Sequence, residues 1–175
     1  GVLDIANRMI TMVSGGYMTL YEYQPAVAGY YDGVTYCHKQ LINACTPWNG
    51  YYTLDSGYYM NLHFSQFMDK GWSFILDACY GDAKVGGDGH ALVDAKYSYI
   101  TACSAEGDYS TIITNTTSEP ITYNFEIANL AKADNEVYVW ETRGPDEGQE
   151  YNANYFKKIS TVTPENGKYS VTIKP

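Results

Sequence analysis

The chain has 175 residues, 45% of them hydrophobic and 18% charged, which excludes intrinsic disorder and fits one domain or one domain plus a fragment. No apolar run approaches the roughly 18 residues that a membrane helix needs, and the opening residues lack the pattern of a signal peptide. The 11 Lys and Arg are outnumbered by 20 Asp and Glu, a net charge of -9, which argues against nucleic acid or an anionic membrane as partner.

Val2, Ile5, Ala6, Met9, Ile10 and Val13 recur at helical spacing, Asp4 stands in the first turn, and Gly15-Gly16 supplies a stop. The aromatic run Tyr17 to Tyr23 then reads as a strand ending at Pro25. Residues from Ala26 to Asp55 show no period and carry Gly29, Gly33, Pro47 and Gly50, the pattern of a long excursion of the kind that carries function. Ser56 is placed to cap a second helix whose stripe is Met60, Phe64, Phe67 and Met68, ended by Gly71.

From Trp72 the period changes to two. Seven strands are predicted at Trp72–Tyr80, Ala91–Cys103, Tyr109–Asn115, Ile121–Ile127, Val137–Thr142, Tyr155–Thr161 and Tyr169–Ile173. Glu106-Gly107-Asp108, Ser118-Glu119-Pro120 and Glu165-Asn166-Gly167 punctuate them as turns, so this part reads as an antiparallel β-sandwich. One strand between two helices is not a domain, because its edges and apolar faces have nothing to pair with. The first part therefore looks like a piece of something larger.

Tyrosine is the unusual component, with 19 residues, and aromatic residues make up 15% of the chain. Aromatic faces suit the C–H faces of sugars, whereas tyrosines in strands are also simply good β-formers. The four cysteines, Cys37, Cys45, Cys79 and Cys103, form no C-x-x-C pair and leave the disulfide state open. Asp82 and Asp88 in their glycine-rich loop lack the twelve-residue EF-hand pattern. Asn115-Thr116-Thr117 is a glycosylation sequon. His63 falls on the helix stripe and reads as a satisfied structural residue, and His38 and His90 have no evident partner.

Three stretches in order carry a resemblance: Gly16-Tyr17-Met18-Thr19, Thr46-Pro47-Trp48-Asn49-Gly50-Tyr51-Tyr52, and His63-Phe64-Ser65-Gln66-Phe67 followed by Gly71-Trp72. Together they resemble the galactocerebrosidase family, glycoside hydrolase family 59, kin of family 30, over about the first 75 residues. The resemblance implies an α/β barrel remnant (last βα unit) in residues 1–70, followed by an all-β antiparallel sandwich in residues 71–175. The fragment would close a (β/α)8 barrel whose earlier strands lie elsewhere. It also implies a retaining glycosidase acting on a β-galactoside or related sugar; the acidic, tyrosine-rich composition in turn fits a secreted carbohydrate-active protein, outside the cell or at its surface.

Retaining glycosidases use two carboxylates about 5 Å apart. The resemblance places both on earlier barrel strands, so no residue here is given a catalytic role, and no metal or cofactor is implied. Trp48 matches the family's loop tryptophan and is the leading candidate for sugar contact, with Tyr51 beside it and Tyr30, Tyr31 and Tyr52 around the same loop. The alternative for Trp48 is an indole that pins its loop. Glu22 and Gln24 alternate on one face of the predicted strand, at the end where barrel active sites sit. Gln24-Pro25 departs from the family pattern, in which an aromatic followed by Asn closes this strand.

The expected partners are a carbohydrate substrate and the N-terminal part of the same enzyme, with no nucleic acid and no membrane span. The isolated chain is expected not to fold stably. A second possibility is a non-catalytic carbohydrate-binding module in which Trp140, Tyr138 and Tyr123 line an exposed strip, and a third is a structural β-domain.

Overall fold

The computed structural model describes residues 1–29, 40–81, 84–85, 92–93, 96–130 and 132–175. Helix α1 (Val2–Gly16) buries Ala6, Asn7, Met9 and Ile10, three of the residues of its predicted stripe and one polar residue between them. Tyr17 ends it in the left-handed region (φ 53°, ψ 31°), and its N–H bonds to the Val13 carbonyl at 3.1 Å. The glycine pair thus forms the last helical turn, and the residue after it makes the stop.

The predicted strand at Tyr17–Pro25 is not formed: the segment is irregular, with Tyr17, Met18, Leu20 and Tyr21 exposed. A strand exists only where a neighbour takes its backbone groups, and no described residue pairs with this segment. Strand β1 (Val27–Gly29) begins beyond Pro25 and lies parallel to β2 (Ile42–Thr46), which runs antiparallel to β3 (Tyr51–Leu54). The predicted excursion therefore holds a small sheet. Helix α2 (Ser56–Phe67) follows, with Asp55 rather than Ser56 at the N-cap position.

The predicted strand Trp72–Tyr80 is broken. Its pieces are β4 (Ser73–Phe74), a 3-10 turn at Leu76–Ala78, and β5 (Tyr80–Gly81). Both strands pair with β8 (Tyr97–Cys103) along one edge, and the turn takes up the residues that do not fit the register between them. A short ladder joins β6 (Lys84–Val85) and β7 (Leu92–Val93).

The other edge of β8 carries β9 (Tyr109–Asn115), in register from Tyr97↔Asn115 to Cys103↔Tyr109. The remaining strands form two ladders: β10 (Ile121–Glu126) with β13 (Lys168–Ile173), and β11 (Val137–Glu141) with β12 (Lys157–Val162). The described residues are thus mostly sheet, with two helices and several small sheets, an arrangement consistent with a β-sandwich. The Glu165–Lys168 turn carries Asn166 and Gly167 at φ 51° and 73°, the left-handed pair that a tight hairpin requires.

The core lies between the helices and the β8–β9 face. Ile10, Ile100 and Ile112 form one cluster, and Ala6, Met9 and Met60 form another. Phe64 packs against both, so the α2 stripe does what its spacing predicts. Gly81 sits where β5 crosses α1, because a Cβ there would lie 2.6 Å from Thr11 Cα.

Candidate functional site

The turn between β2 and β3 is built by its own side chains. Pro47-Trp48-Asn49 make one 3-10 turn, and Gly50 closes it at φ 76°. Asn49 Oδ1 accepts from Thr46 Oγ1 at 2.7 Å and from the Tyr51 N–H at 2.9 Å, while Thr46 and Tyr51 face each other across the ladder. One carboxamide oxygen therefore fixes both ends of the loop. Trp48 is 72% exposed at the tip, Tyr51 59% and Tyr52 62%. Adjacent strand residues point to opposite faces, so the two tyrosines present rings on both sides of the hairpin.

Trp48 and Tyr51 are thus brought together as expected, whereas Glu22 and Gln24 are elsewhere. Both are exposed in the irregular segment before β1, not alternating on a strand. That segment joins the sheet at its other end, where the Ala26 carbonyl accepts the Ile42 N–H at 2.9 Å. Ile42 and Thr46 are four residues apart, about 13 Å at strand rise. Between Glu22 and Gln24, Tyr23 turns inward to the start of α2, where its hydroxyl lies 3.6 Å from a Cβ placed on Gly57. Burial pushes the Tyr23 phenol up, and the neighbouring Tyr21 and Asp55 add to it. Tyr23 is thus the one partly buried residue between the exposed Glu22 and Gln24.

A second aromatic cluster joins α2 to the β11–β12 ladder. Phe67 stacks on Phe156 with centroids 5.5 Å apart, and Trp140 lies 5.0 Å from Phe156 and 5.8 Å from Phe67. His63 Nε2 is 2.8 Å from Thr142 Oγ1, which also accepts the Phe156 N–H at 2.9 Å. Burial among these rings lowers the His63 imidazole from 6.5 to about 4, so it stays neutral at ordinary pH. Tyr138 is exposed on the same strand as Trp140, with Lys158 Nζ 4.0 Å above its ring. Tyr123 does not join them, because it lies on β10 with its hydroxyl on the Thr114 carbonyl at 3.1 Å. Burial, then Tyr97 and Tyr99, push the Tyr123 phenol up to about 12.

Cys79 and Cys103 are free thiols, and Cys79 Sγ donates to the Ile75 carbonyl at 3.2 Å. Its thiol is raised by burial, the condition of an inert cysteine. Among the described residues, no three His, Cys, Asp or Glu side chains converge as a metal site requires, and no helix is long and apolar enough to cross a membrane. Tyr30, Tyr31, Cys37, His38, Asp82, Asp88 and His90 lie outside the described residues.

Residues 1–66, which include the whole hairpin, match the family described as glycosyl hydrolase family 59. The chain is 25% identical to a galactocerebrosidase of Salmo salar over 154 residues, which cover 84% of this chain and 22% of that protein. It is 34% identical to galactocerebrosidases of Canis lupus familiaris and Homo sapiens over 79 residues, covering 45% of this chain and 12% and 11% of theirs. The matches thus span at most 22% of the length of these relatives.

Proposed function

We propose, from the family-59 kinship of residues 1–66 as premise, that this galactocerebrosidase-like chain is the part of a retaining β-glycosidase that closes the barrel and shapes its sugar site. Residues 1–70 supply the last barrel unit and 71–175 the sandwich that buttresses it. The catalytic carboxylates belong to the rest of the enzyme, and the substrate is a β-galactoside or a related sugar. The observation that carries this reading is the Trp48 hairpin: a large, mostly exposed aromatic ring on a turn whose backbone is already fixed. Such a ring offers a face to the C–H side of a sugar at little cost in ordering the loop.

The exposed Tyr17, Met18, Leu20 and Tyr21 support the other half of the proposal. They form the face that receives the earlier barrel strands, and pairing there turns Tyr17–Pro25 into a strand with Glu22 and Gln24 on one side. We place the enzyme outside the cell or at its surface, in keeping with its acidic, tyrosine-rich composition. The reading of the sandwich as a binding module draws less support, since Tyr123 stands apart from Tyr138 and Trp140.

The test is to express residues 1–175 alone and together with the remainder of the enzyme. Cooperative unfolding and activity on a β-galactoside only in the joint preparation support the proposal. A monomeric, cooperatively folded chain with Tyr17–Pro25 unprotected from hydrogen exchange in both preparations refutes the barrel part of it.

A further inference from the structure

We propose that the Asn115-Thr116-Thr117 sequon is closed to N-glycosylation in the folded protein, because Asn115 is the clamp that ties the end of β9 to the last strand. The inference is independent of the glycosidase reading. Asn115 is the final residue of β9 and is only 6% exposed. Its Nδ2 donates to the Glu119 carbonyl at 2.8 Å and to the Lys174 carbonyl at 3.1 Å. Its Oδ1 accepts from the Thr117 N–H at 2.9 Å and lies 2.7 Å from Thr117 Oγ1. Both amide hydrogens are therefore used, and the hydroxyl residue that makes the motif a sequon here shapes the turn.

Glycan transfer forms a bond from Nδ2 to the first sugar carbon of a lipid-pyrophosphate-linked oligosaccharide. The lipid pyrophosphate departs, and Nδ2 loses one proton. The product amide keeps a single N–H, so Nδ2 gives up its bond either to the Glu119 or to the Lys174 carbonyl. The sugar would also have to extend from a side chain that is only 6% exposed. Breaking one arm of this clamp loosens the turn, and a sugar cannot be accommodated at a side chain so little exposed. Modification and folding at this position exclude each other: a chain that folds first keeps Asn115 bare, and a chain modified first does not reach this fold.

The experiment produces the protein, joined to the remainder of its enzyme, in a glycosylating eukaryotic host. The protease-resistant secreted fraction and the retained insoluble fraction are each mapped by mass spectrometry after amidase treatment in heavy-oxygen water. The expected result is unmodified Asn115 throughout the folded fraction, with any modified Asn115 confined to the insoluble one. A glycan at Asn115 on folded protein overturns the proposal. In a bacterial host, which leaves the sequon alone, Thr117→Ser is expected to keep the thermal midpoint near that of the parent, and Asn115→Gln to lower it or prevent folding. A parental midpoint in Asn115→Gln overturns the clamp.

Discussion

Asn7 Oδ1 accepts a hydrogen bond from Thr114 Oγ1 at 2.6 Å, although the two residues are 107 positions apart. Ser98 Oγ also donates to Asn7 Oδ1, and the two hydroxyls lie 2.9 Å from each other. All three residues are buried, so this knot pins α1 onto the β8–β9 sheet in the middle of an otherwise apolar contact. Buried polar groups of this kind matter most through what is left behind when one is removed.

Asn7→Ala should therefore destabilise the folded protein by about 1–3 kcal/mol, the range for stranding a buried hydroxyl. Asn7→Asp should cost more, because a carboxylate would be desolvated at a fully buried position. Denaturant titration of the parent and both variants checks the order. Equal midpoints for all three would mean that the knot is idle.

The crossing of β5 over α1 gives a sharper steric expectation. A Cβ on Gly81 would lie 2.6 Å from Thr11 Cα, and backbone cannot step aside as a side-chain tip can. Gly81→Ala should cost about 1–3 kcal/mol or more through overpacking. Gly15, in the last turn of α1, has nothing within 4 Å of its would-be Cβ. Gly15→Ala should be neutral or stabilising by up to about 1 kcal/mol, as helix propensity dictates. Thermal melts of the pair separate the two cases, and a harmless Gly81→Ala would place β5 farther from the helix.

These contacts show which parts of the fold the sequence discloses. Tyr109–Asn115 is a strand with the predicted ends, and Ile121–Glu126 differs from its predicted range by one residue. Ile121–Glu126 alternates cleanly, and both strands find their partners within the chain. The stripes of α1 and α2 are legible for the same reason: helical periodicity records one buried face. Tyr17–Pro25 is illegible because a strand depends on a neighbour, and an aromatic run looks alike with or without one. The break at Leu76–Ala78 is a local turn inside an apolar run and leaves no change of pattern. Asn7 lies outside the predicted α1 stripe, and nothing local foretells Ser98 and Thr114. In the candidate site, Trp48 and Tyr51 are legible because one short turn unites them, whereas the placing of Glu22 and Gln24 needs the sheet.

His63 makes stability depend on pH in a definite direction. Its imidazole titrates near 6.5 when unfolded and at about 4 in the fold, lowered by burial. Between those values the unfolded chain binds a proton that the folded one refuses, so stability falls as pH drops through the window and is fully present above it. The shift corresponds to roughly 3 kcal/mol between its two limits. Unfolding titrations at pH 7 and pH 4.5 should differ more in the parent than in His63→Gln, which keeps a polar contact for Thr142 without the titration. Parallel pH profiles would show that His63 contributes nothing to acid sensitivity.

The hairpin tip separates binding from stability, which makes the Trp48 assignment testable in the complete enzyme. Trp48 is 72% exposed, so Trp48→Ala removes little buried area and should shift stability by less than about 0.5 kcal/mol. If its ring supports the sugar, the same change should raise KM roughly tenfold, equivalent to about 1.4 kcal/mol of lost binding. Trp48→Phe keeps an aromatic face and should recover part of that loss. Asn49→Ala tests the loop itself: without Oδ1, Thr46 Oγ1 and the Tyr51 N–H lose their shared acceptor, and the ring loses its fixed presentation. It should weaken binding as well while leaving Trp48 in place. A KM unmoved by both Trp48→Ala and Asn49→Ala would exclude this hairpin from the sugar site.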